Sequence, residues 1–80
     1  MQDLEGLAKF VRQKMDELNL NSYEVAQRAT NKGFKIVHGT VWNVLNQNTK
    51  EVKDRTLISL AKGLNVDEEQ IFAIARGQHG

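Results

Sequence analysis

Apolar residues recur along this chain at steps of three and four, the period of one face of a helix. Leu4, Leu7, Ala8, Val11, Met15 and Leu18 fall on a single stripe, which predicts an amphipathic helix over about residues 3–19. Asn19-Leu20-Asn21 interrupts that stripe. Asn21 followed three residues later by Glu24 is the spacing of a capping box, so a second, shorter helix is expected over about 22–29, with Val25, Ala26 and Ala29 inside. The small side chains at 26 and 29 suit the close approach of another helix. TNKGFKI, residues 30 to 36, is a connection: Asn31 and Gly33 supply turn conformations, and Phe34 and Ile36 are apolar enough to fold back onto a core.

A third helix is predicted over about 38–47, with Val41, Val44 and Leu45 facing inward, Gly39, Asn43 and Asn46 facing outward, and Trp42 on the flank. Asn48 suits the left-handed residue that closes a helix, which leaves NTKEVK as an exposed basic loop anchored by Val52. Asp54 is the expected cap of a fourth helix carrying Leu57, Leu60, Ala61 and Leu64, with Gly63 near its end. Asp67 with Gln70 three residues on repeats the capping spacing and opens a fifth helix over about 68–76. There is no alternating strand pattern, no internal repeat and no proline. The expectation is an all-α fold, a compact five-helix bundle forming one domain over residues 1–76, followed by a flexible tail at 77–80.

Composition narrows the chemistry. Eighty residues suffice for one modest core and leave no room for a deep substrate cavity. Without cysteine there is neither a disulfide framework nor a thiolate metal site, and His38 and His79 are too few to hold a metal by themselves; no metal or cofactor is expected. No apolar run approaches the roughly 20 residues that span a bilayer, so no membrane partner is expected and the cytoplasm is the expected location. No nucleophile stands in a recognisable arrangement with a base, and no glycine-rich phosphate loop follows a strand, so an enzyme is not expected. The net charge of +1 conceals an uneven distribution. Residues 1–24 carry minus two, residues 25–62 plus five and residues 63–80 minus two. A basic middle segment suits a polyanionic partner, although lysines on a surface also serve solubility alone.

The outer face of the third helix is the part that packing does not explain. Asparagine is a poor helix former, and an exposed mid-helix asparagine gains nothing locally. A helix fits the major groove of DNA, where asparagine or glutamine forms two hydrogen bonds with adenine. Trp42 on the flank has two readings: it stacks on sugars or thymine methyls, or it is covered by Phe34 and neighbouring loop residues.

NSYEVAQRA, followed by IVHGTVWNVLNQ and TLISLAKGLNV, resembles the Cro/C1-type helix-turn-helix family of bacterial and phage repressors, the lambda-repressor-like DNA-binding domains. The resemblance covers roughly Leu7 to Phe72. It implies a five-helix domain in which the second helix lies across the phosphate backbone and the third enters the major groove of double-stranded DNA. Base readout would then fall to His38, Gly39 and Asn43, joined by Asn46 and Trp42. Phosphate contacts would fall to Asn21, Ser22 and Tyr23 at the start of the second helix, to Thr40, and to Lys50, Lys53 and Arg55 around the loop. This chain departs from the family in a longer connection between the second and third helices. It also has Met15 and Leu45 where relatives often carry an ion pair. The function implied is transcriptional regulation by operator binding, most simply as a repressor, in a bacterial cell or phage-infected host. A protein-interaction module or antitoxin built on the same fold is the alternative.

The fifth helix contains IFAIA, apolar all round rather than on one stripe. Either both sides pack within the chain, or Phe72 and Ile74 meet a second copy in a homodimer that sets two recognition helices about 34 Å apart, one turn of DNA.

Overall fold

Asp3 starts the first helix. Its carboxylate accepts the Gly6 N–H at 2.9 Å and holds the first turn of α1, Leu4–Leu18. The structure, a computed structural model, describes residues 2–77; His79 and all of the expected tail beyond Gly77 lie outside the described residues. Four further helices follow: α2, Ser22–Asn31, α3, His38–Leu45, α4, Asp54–Leu64, and α5, Glu68–Ala75. Among the described residues there is no strand, and no helix is long and apolar enough to cross a membrane.

The capping box at the start of α2 is formed. The Asn21 Oδ1 accepts the Glu24 N–H at 2.8 Å, and the Glu24 carboxylate accepts the Asn21 N–H at 3.0 Å. The other expected caps differ. Asp54 is the first residue of α4 rather than its cap. Lys53 holds the cap position and offers no side-chain acceptor, because the chain turns into the helix one residue earlier than an acidic cap would allow. Asp67 does cap α5, but its carboxylate accepts the Glu69 N–H at 3.4 Å and the expected partnership with Gln70 is not formed.

Among the described residues, four helices close through the same turn. A left-handed residue donates its N–H three residues back, and the next residue donates five back, which satisfies carbonyls that the last helical turn leaves open. In α1 the residues are Asn19 and Leu20, in α2 Gly33 and Phe34, and in α4 Asn65 and Val66. In α3 the left-handed position falls on Gln47, at φ 54°, and not on Asn48 as expected. The helix ends at Leu45 with Asn46 as its cap, and Asn48 instead donates to the Asn43 carbonyl at 2.9 Å. A side chain in this backbone region costs about 1–2 kcal/mol, so Gln47→Gly is expected to raise the unfolding free energy by about 1 kcal/mol, measurable by urea denaturation.

The core is assembled from all five helices, Ile36 of the connection and the loop residue Val52. Leu7, Val11, Val25, Val41, Leu57, Leu60, Leu64 and Ile71 are its largest fully buried residues. α2 packs on α3 and α4, α1 on α3, α4 and α5, and α4 on α5. Three positions depart from the periodic reading. Phe10, off the expected stripe of α1, is buried. Leu18, on that stripe, is 39% exposed at the last turn, just before the chain leaves the helix at Asn19. Leu45 is half-buried rather than interior, being the final residue of α3. The closest approach of α2 and α4 is made by Gly63, which faces the Val25 carbonyl; Ala26 and Ala29 are buried beside it.

Candidate nucleic-acid interface

Among the described residues, α2, the connection and α3 carry the most exposed large hydrophobic side chains. Tyr23 is 61% exposed, Val37 57% and Trp42 53%, and no large hydrophobic residue of α5 is exposed to this degree. Phe72 and Ile74 are half-buried and pack against the core, so the apolar residues of α5 are largely covered from within the chain.

The connection that aims α3 is held from both sides. Ile36 is buried, and the Thr30 hydroxyl lies 3.4 Å from both the N–H and the carbonyl oxygen of Ile36, donating to the carbonyl and accepting from the amide. Gly33 at φ 93° supplies the left-handed turn that starts this return. His38 then becomes the first residue of α3, exposed, its ring 5.8 Å from that of Tyr23 and tilted 56° to it. The two rings border an open hollow of about 340 Å³ between α2 and the connection. One expected base-reading residue and one expected phosphate contact are thus neighbours.

A second hollow, of about 280 Å³, gathers residues from three elements. Thr40 and Asn43 come from α3, Thr49 and Lys53 from the loop, and Thr56 from α4. Asn43 is exposed there, midway along α3. A third hollow, of about 290 Å³, has Trp42 on its wall with Ser22 of α2 and Arg12, Met15 and Leu20 nearby. Met15 and Leu45 both line it. Phe34 instead lies under the Lys62 ammonium, 5.1 Å from the ring centroid.

Several of the expected site residues are committed within the chain. The Asn46 side-chain amide donates to the Trp42 carbonyl at 2.9 Å and closes its own helix. The Asn21 side chain is held by the capping box, which leaves the Ser22 and Tyr23 amides as the open donors at the start of α2. Gly39 is exposed, and a Cβ added there meets nothing within 4 Å.

Five of the seven basic residues of the middle segment lie towards the two ends of α4. At its C-terminal end, Lys62 pairs with Glu68 at 3.4 Å and the Lys32 ammonium donates to the Lys62 carbonyl at 2.8 Å. At its N-terminal end Lys50, Lys53 and Arg55 are exposed, and among the described residues none of them forms an ion pair. Glu51 and Asp54 offset part of that charge. The first turns add to it: α1, α2 and α5 have side-chain caps, whereas α3 and α4, which begin after Val37 and Lys53, do not. Their first amides therefore present donors and partial positive charge without a side-chain acceptor.

Thr49 and Thr56 escaped the reading of the sequence, since hydroxyls beside a loop are common and only the fold sets them against Asn43. The uncapped start of α4 runs against the sequence expectation of an Asp54 cap, because the helix begins one residue earlier, after Lys53, whose side chain has no acceptor. Among the described residues no three His, Cys, Asp or Glu side chains gather as a metal site. The chain matches no protein-family model, no curated protein and no solved structure.

Proposed function

We propose that this chain is a sequence-specific double-stranded DNA-binding domain of a transcriptional regulator, acting as a repressor by occupying its operator. In this reading α2 and α3 form a helix-turn-helix, α3 enters the major groove, and α2 crosses the backbone. One observation carries it: the exposed Asn43 shares a hollow with Lys53 at the uncapped start of α4. A side chain suited to reading adenine thereby stands beside a cation suited to phosphate, in a hollow that Glu51 also lines. His38 and Trp42 flank Asn43 as further base or sugar contacts, and no catalytic residue is assigned.

Exposed Val37 and Trp42 favour a second reading, in which α3 binds another protein through its apolar flank. Salt separates the two. With fluorescently labelled duplexes, the logarithm of affinity should fall steeply and linearly with the logarithm of salt concentration, and Lys53→Ala should lower that slope by about one while weakening all sequences alike. Affinity for duplex DNA that is absent or indifferent to salt would count against the DNA reading and for the protein one.

A further inference from the structure

The loop that presents Lys50 and Lys53 is fixed by a residue from the far end of the sequence. Gln2 meets Val52 through both ends of its side-chain amide: Nε2 donates to the Val52 carbonyl at 2.6 Å, and Oε1 accepts the Val52 N–H at 2.7 Å. A primary amide and a backbone peptide group are matched in this pairing, donor to acceptor twice, so the loop is restrained in position and in rotation. Both hydrogen bonds are partly buried, and the Val52 side chain is itself in the core. The next residue anchors the strap at its other side, where the Asp3 N–H donates to the Ala75 carbonyl at 2.8 Å, at the end of α5.

We infer that Gln2 is a positioning residue for the phosphate contacts: by clamping the backbone of Val52 it sets the height and direction of the loop on which Lys50 and Lys53 stand. The inference rests on the DNA reading for its functional half, while the clamp itself can be observed without DNA. Val52 lies between the two lysines, so rotation of its peptide plane moves both. Without the clamp the loop keeps its apolar anchor, the bond from the Thr49 hydroxyl to the Glu51 carbonyl at 2.9 Å and its backbone bonds to α3 and α4 at either end, and loses the tie of its middle to the N-terminal segment. Ordering the lysines only on contact with DNA then carries an entropy cost that the clamped loop has already met.

The test combines amide hydrogen exchange with duplex binding on the full chain. Gln2→Met keeps the length and removes both polar ends. Exchange at the Val52 N–H should accelerate about tenfold or more, whereas Val11 and Leu60 in the core should change by less than about twofold. Affinity for duplex DNA should fall about fivefold, with a shallower salt dependence. Gln2→Glu retains an acceptor for the Val52 N–H but not the donor to its carbonyl, and should give exchange between the two. Unchanged exchange at Val52, or equal acceleration across the core, overturns the clamp. Faster exchange at Val52 with unaltered duplex affinity and slope overturns its positioning role. Failure of the unmodified protein to bind any duplex is a separate result, one that removes the DNA reading before a variant is compared.

Discussion

Gly63→Ala is expected to lower the unfolding free energy by about 2 kcal/mol, which is about 10 °C in melting temperature for a domain of this size. A Cβ built on Gly63 lies 2.5 Å from the Val25 carbonyl oxygen and 2.9 Å from its Cγ1. The side-chain carbon has some freedom to move. The carbonyl has none, because it belongs to the backbone of α2, so α2 and α4 must separate. Separation loosens the packing among Val25, Leu60 and Leu64, each buried to within 1%. Overpacking against a backbone carbonyl this close costs about 3 kcal/mol, the upper end of the usual range, and the intrinsic preference of a helix for alanine over glycine returns about 1 kcal/mol of it. Gly39→Ala isolates that last quantity. It too lies in a helix, with nothing within 4 Å of the added carbon, so it should be stabilising by about 0.5–1 kcal/mol. Urea denaturation followed by circular dichroism measures both. Equal behaviour of the two variants would mean that α2 and α4 do not approach each other as described.

Gly63 also marks where the sequence stops being informative. As a residue near the end of a helix it reads as punctuation, and only the backbone of another helix gives it a packing role. The same division runs through the chain. Leu7, Val11 and Met15 on α1 and the Asn21–Glu24 capping box were legible because their physics is confined to three or four residues. Phe10 and Leu18 were not, since a position at the flank or end of a stripe is buried or bare according to what packs on it. Gln2 gives no local signal at all; its partner Val52 is fifty positions away.

The candidate site divides likewise. Asn43 was legible as an outward asparagine in a helix, and it is exposed in the structure. The basic middle segment was read as one unit, but a count along the chain cannot tell the two ends of α4 apart. Lys32 and Lys62 are engaged at one end, leaving Lys50, Lys53 and Arg55 without ion pairs among the described residues at the other. Asn46 was read as outward and is, but its amide donor is committed to the Trp42 carbonyl, an alternative inherent in asparagine at the end of a helix.

Asn43→Ala is expected to erase preference at one base pair, at about 1–3 kcal/mol, or about 5- to 150-fold in affinity for the selected site, and to leave affinity for random duplexes nearly unchanged. The site must first be selected from a random pool of duplexes. Among the described residues Asn43 makes no side-chain hydrogen bond, and its one structural duty, accepting the Asn48 N–H, belongs to its backbone carbonyl, which alanine keeps. Alanine is also the better helix former by several tenths of a kcal/mol, so the variant should be at least as stable as the parent. A loss of affinity therefore cannot be assigned to unfolding. Lys53→Ala makes the contrasting measurement, since taking away a phosphate partner there weakens selected and random duplexes by the same factor. If Asn43→Ala also weakened both equally, the outward amide would be holding the backbone and the base reading would belong to His38 or Trp42. If it weakened neither, α3 would not be the helix that meets DNA.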